Sequence, residues 1–107
     1  MKIKSKPPKK IPERLVKTQI KVWLRQQGFY HFSPIGGPYS VHGVPDIIVC
    51  AGGKFVGIEC KSPDKTHQVT KHQADHINRI QASDGVAFVA YSLADVIANM
   101  KRFGIIP

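Results

Sequence analysis

The sequence predicts an α/β domain in which a mixed central β-sheet is flanked by helices, in the order α-β-β-β-α-β-α. Three observations lead there. Two apolar runs, Ile47–Ala51 and Lys54–Cys60, are joined by Gly52-Gly53, the mark of paired strands connected by a tight turn. Helical spacing of apolar residues precedes this unit, and helical signals resume after it on both sides of a third apolar run. Strands interleaved with helices in this way give a sheet covered by helices.

Each element has a local reason. Pro12 suits a helix start, and Val16, Ile20, Trp23 and Leu24 recur at helical spacing until Gly28 stops the run, so a first amphipathic helix is expected near 12–27. Phe29–Ser33 is short and aromatic and is bounded by Pro34 and Gly36-Gly37-Pro38, which reads as a strand followed by a loop. The runs on either side of Gly52-Gly53 are apolar at odd and even positions alike, so both are expected as central strands. Helix is expected again from about Val69 to Ala82, strand over Val86–Tyr91, and a closing helix over Leu93–Phe103. No internal repeat is present.

With 107 residues there is room for one domain and a modest core, so any larger catalytic assembly must come from oligomerisation. Sixteen Lys and Arg against seven Asp and Glu give a net charge of +9 and a pI near 9.9, which favours a polyanionic partner such as nucleic acid. An anionic membrane is the other reading of that charge, but no apolar stretch reaches 18 residues. Met1–Lys10 has no hydrophobic segment of the signal-peptide kind, so a cytoplasmic protein is expected. Cys50 and Cys60 lie inside apolar runs and are expected as free thiols packed in the core. Residues 1–11, with five lysines around Pro7-Pro8, are expected as a flexible basic arm, and 12–107 as the folded domain.

Chemistry concentrates in two clusters, Gly43-Val44-Pro45-Asp46 and Glu59-Cys60-Lys61. Alternate side chains of a strand share a face, so Glu59 and Lys61 project together while Cys60 points the other way. Pairing through Gly52-Gly53 lays the start of one strand beside the end of the other and carries Asp46 to Glu59 and Lys61. Two carboxylates brought together in a sheet repel each other and lose hydration unless a cation lies between them. A hard divalent ion held there activates water, the chemistry of cutting a phosphodiester. Elsewhere the same spacing marks an exposed hairpin end with solvated charges. Here the apolar flanks and Pro45 favour a site.

Other polar residues stand on inward faces. Glu13 shares the helical stripe of Val16, Ile20 and Leu24, where a carboxylate needs a partner, although near a helix start it also suits capping or the macrodipole. Gln73 shares the stripe of Val69, Ile77 and Ile80, placed either to orient a water or phosphate oxygen or to bond a strand end. His72 and His76 stand four apart near His67, a zinc-compatible spacing that lacks acidic or cysteine partners, which favours surface histidines. Lys65, Lys71, Arg79, Lys101 and Arg102 are candidates for tracking phosphates or ordinary solvated cations.

Gly43-Val44-Pro45-Asp46, Glu59-Cys60-Lys61, Glu13 and Gln73 together resemble the PD-(D/E)XK nuclease superfamily and, more narrowly, the VRR-NUC family of virus-type replication-repair nucleases in its small stand-alone phage form. The resemblance runs from about Glu13 to Met100, through Gly85–Val89 and Ser92–Val96, and does not include the basic arm. It implies a restriction-endonuclease-like core and a Mg2+ requirement in which Mn2+ substitutes. It also implies a homodimer acting on branched DNA such as Holliday junctions, in the host cytoplasm if phage-encoded. With the chemistry above, it assigns the metal to Asp46, Glu59 and the backbone carbonyl of Cys60, with Glu13 through water or a second ion. Lys61 falls beside the attacking water and the scissile phosphate, and Gln73 positions one of them. The rivals are a non-catalytic basic DNA-binding module, in which these carboxylates are vestigial, and a flap-type nuclease.

Overall fold

A computed structural model of the chain describes residues 11–64 and 67–107. Residues 1–10 of the arm expected over 1–11, and Lys65, lie outside the described residues. Seven elements follow the expected order: α1 (Glu13–Gln26), β1 (Tyr30–Phe32), β2 (Ile47–Ala51), β3 (Lys54–Cys60), α2 (Lys71–Ala82), β4 (Val86–Ala90) and α3 (Leu93–Arg102). The sheet order is β1-β2-β3-β4, with β1 and β3 antiparallel to β2 and β4 parallel to β3. The sheet is therefore mixed, as the sequence predicts.

One face of the sheet carries the core. Val16, Ile20 and Leu24 from α1 and Val96 and Met100 from α3 pack with Ile47, Val49, Val56, Ile58, Cys60, Phe88 and Ala90 of the strands. Burying each such aliphatic side chain contributes about 1.5–3 kcal/mol against the entropy of ordering the chain. The opposite face is covered by α2, which lies over β3 and β4. Element ends shift for identifiable reasons. α2 begins at Lys71, not Val69, because Thr70 caps it: the Thr70 hydroxyl accepts from the Gln73 N–H, and the Gln73 side chain accepts from the Thr70 N–H. β4 ends at Ala90 because the Tyr91 N–H turns to Asp95 Oδ2 at the entry to α3.

Two expectations need correction. Cys60 is a core residue, but Cys50 is exposed, and β2 is not buried on both faces. Among the described residues α2 packs chiefly on β3 and β4, which leaves the β1–β2 side of that face exposed. Register places Tyr30, Cys50 and Phe55 in one row and Phe32, Ile48 and Gly57 in the next. Tyr30, Phe32 and Phe55 are accordingly 72%, 50% and 49% exposed, an apolar surface of the kind that marks a contact site.

The two thiols should differ in reactivity. Burial, and secondarily the neighbouring Asp46, pushes the Cys60 thiol up to about 12, so it stays protonated and out of reach. A small alkylating reagent at pH 8 is expected to label Cys50 alone in the folded protein and both cysteines after denaturation. Mass spectrometry reads the difference, and rapid native labelling of Cys60 would contradict the packing.

Candidate functional site

The site is assembled by the β2–β3 hairpin and the first turn of α2. Ile47 pairs with Ile58, so Asp46, one residue before β2, comes level with Glu59. Two glycines allow the surrounding pieces to close. A Cβ on Gly57 would lie 2.9 Å from Pro45 Cγ, so the glycine lets the residue before Asp46 settle on β3. Gly43 has φ +85° and no space for a side chain, because its Cβ would meet the His72 backbone at 2.5 Å. The loop before Asp46 is thereby pressed against the first turn of α2, which brings Gln73 over Glu59.

Polar contacts fix the acidic groups. Asp46 Oδ2 accepts the Cys60 N–H at 2.8 Å, while its Oδ1 faces Lys17 Nζ at 3.2 Å. Glu59 is only 2% exposed, and its Oε1 accepts from Gln73 Nε2 at 2.9 Å. Lys61, 6% exposed, places Nζ 3.8 Å from the same oxygen. Glu59 and Lys61 thus share a face and Cys60 faces the core, as strand alternation requires. Glu13, half-buried at the start of α1, acts on Lys17, Glu59 and Cys60 through its charge. Asp46, Glu59, Lys61 and Gln73 are therefore gathered in one place, with Glu13 at its margin.

Electrostatics record the conflict in this arrangement. Burial first, then the charge of Asp46 and a hydrogen bond between the two carboxyls, raises Glu59 to about 8, with Lys61 pulling the other way. At neutral pH the pair therefore holds a proton. Burial favours neutral Lys17, but Asp46 together with smaller effects of Cys60 and Glu13 outweighs it and the net shift is upward, so this ammonium stays charged.

Lys17 is the residue of the candidate site that sequence reasoning missed. A signal was available, because at 100° per residue Lys17 lies only about 40° from Glu13 on the inward stripe of α1. A lysine there needs an acidic partner as much as Glu13 needs a cation.

The donor set suits a hard ion. Among the described residues no three His, Cys, Asp or Glu side chains form a group able to hold a metal, so the protein offers two carboxylates supplemented by backbone and solvent oxygens. Magnesium, which keeps several waters and takes one or two carboxylates, fits that set better than zinc does. The histidines lie outside it: His72 is exposed with its ring 6.4 Å from that of His42, and His76 is half-buried one turn further along α2. Lys71, Arg79, Lys101 and Arg102 are exposed. The 36–40 segment forms a turn in which Ser40 Oγ donates to the Gly37 carbonyl at 2.7 Å, leaving Tyr39 fully exposed. Among the described residues no helix is long and apolar enough to cross a membrane.

No protein-family model matches this chain, and no curated protein matches it. A solved structure does: a VRR_NUC domain protein superposes with a TM-score of 0.73 over 89% of this chain and 89% of that one, at 21% identity. Likeness at that identity concerns the fold. The four-stranded mixed sheet flanked by helices is a fold shared with that protein.

Proposed function

We propose that this chain is a divalent-metal-dependent endodeoxyribonuclease of the VRR-NUC type within the PD-(D/E)XK superfamily, selective for branched DNA such as Holliday junctions. The observation that carries this reading is the convergence of Asp46 and Glu59 with a buried Lys61 at one end of the sheet. Two meeting carboxylates, one of them retaining a proton, are costly in a small domain and understandable where a cation is to be held. The shared fold and the net charge of +9 support the same reading.

In this reading Asp46, Glu59 and the Cys60 carbonyl hold Mg2+, or Mn2+ in its place, with Glu13 acting through water. The ion supplies Lewis-acid polarisation of the phosphate and a lowered pKa for water. Lys61, carried on the β3 face of Glu59, neutralises charge developing on the phosphate. Gln73, fixed by the α2 cap, orients the water or a phosphate oxygen. Water oxygen bonds to phosphorus as the bond to the 3′ oxygen breaks, leaving a 5′-phosphate and a 3′-hydroxyl. The test is incubation with labelled junction, flap, linear duplex and single-stranded DNA in Mg2+, Mn2+ or EDTA. Metal-dependent cutting with preference for the junction is expected. Binding without cutting in either metal would leave a DNA-binding module, and preference for flaps would change the substrate.

Paired cuts across a symmetric junction call for two sites related by a two-fold axis, hence a homodimer. The open row of Tyr30, Cys50 and Phe55 is the surface we assign to the second copy. Sedimentation at micromolar concentration is expected to give a dimer, and Phe55→Glu a monomer with unchanged circular dichroism. Wild-type protein that stays monomeric at that concentration argues against this arrangement.

A further inference from the structure

The two oxygens of Asp46 are held by partners of different kinds. Oδ2 is bound by the Cys60 N–H, a donor fixed in the backbone at the end of β3. Oδ1 is bound by Lys17, whose side chain is 31% exposed and ends a flexible four-carbon stem. A cation approaching the carboxylates therefore finds Oδ1 already paired, with a charge that can move away. Lys17 comes from α1, and among the described residues its ammonium is bound by the Asp46 side chain.

We propose that Lys17 is a displaceable counter-ion for the metal site, an inference that rests on the reading of Asp46 and Glu59 as metal-binding groups. In the metal-free protein its ammonium neutralises Asp46 and holds that carboxylate at the end of the hairpin. A divalent ion competes with it for Asp46 Oδ1 and sets it free toward solvent. Lys17 thus sets the concentration of divalent ion at which the site fills. A single charge on a flexible stem suits this role: it is strong enough to hold that carboxylate in place and weak enough to yield to a doubly charged ion. An arginine would grip both carboxylate oxygens with a planar fork and yield less readily.

This distinguishes a competitor from a structural support. Isothermal titration of Mn2+ into wild-type, Lys17→Gln and Lys17→Arg proteins is expected to rank affinity Gln above Lys above Arg, with Lys17→Gln about tenfold tighter than wild type. Thermal unfolding gives the complementary readout. Lys17→Gln should unfold at a lower temperature than wild type in EDTA, and saturating Mn2+ should close that gap. If Lys17 merely props up the site, both variants bind Mn2+ more weakly and the gap persists, which overturns the proposal. If the variants match wild type in affinity, no competition exists and it also falls. Wild-type protein that binds no Mn2+ at all would instead remove the nuclease reading on which the proposal stands.

Discussion

Asp46→Asn and Lys61→Ala are each expected to reduce metal-dependent DNA cleavage by at least about 10²–10³-fold, the scale of losing one strong electrostatic contact to a transition state. DNA affinity in EDTA should stay within a few-fold of wild type. Asparagine preserves the shape of Asp46 and an oxygen for the Cys60 N–H, so the hairpin end keeps its geometry while the charge needed to hold a cation is lost. Lys61 is 6% exposed, so it adds little to diffuse attraction for DNA. That attraction comes from the excess of sixteen basic over seven acidic residues. Its loss also removes the cation that holds Glu59 in check. Cleavage rates and electrophoretic binding on the same preparations separate the two effects. Wild-type turnover in either variant would take that residue out of the mechanism.

The juxtaposition of Asp46 and Glu59 was readable because it depends on period and turn alone. Once Gly52-Gly53 joins two strands, antiparallel pairing makes position 46 the neighbour of position 59. Gln73 was readable as an amide on an apolar stripe, and its spacing from Thr70 is a local capping signal, but its bond to Glu59 was not readable, since that requires knowing where α2 docks. Gly43 illustrates the same limit. Its need for glycine arises from the His72 backbone, 29 residues away, and nothing local announces that approach. Cys50 was misplaced because an apolar run does not reveal how many helices cover its second face. The hydrophobic pattern of β2 is the same whether α2 spans two strands or four. Lys17 was overlooked for a different reason: a lysine on a helix is usually solvated, and only its angular proximity to Glu13 marks it out.

A second large effect is expected in the pH dependence of stability without metal. Glu59 is raised from an ordinary value of 4.5 to about 8, chiefly by burial and then by Asp46. The unfolded chain therefore loses this proton near pH 4.5, whereas the folded protein keeps it until about pH 8. Between those values the folded state binds more protons than the unfolded state, so stability must fall as pH rises and level off above pH 8. The total loss is on the order of a few kcal/mol, a large share of the stability of a small domain. Melting in EDTA from pH 5 to 9 should show this decline. Glu59→Gln should flatten it, which ties the decline to Glu59. Saturating Mg2+ should also flatten it, because an ion between the carboxylates takes the place of the shared proton. The stabilisation from Mg2+ should accordingly be larger at pH 8.5 than at pH 6, where the proton competes for the same oxygens. A melting temperature that climbs with pH in EDTA, or a Mg2+ effect independent of pH, would mean that the two carboxyls do not share a charge. The argument for a cation between them would then lose its electrostatic basis.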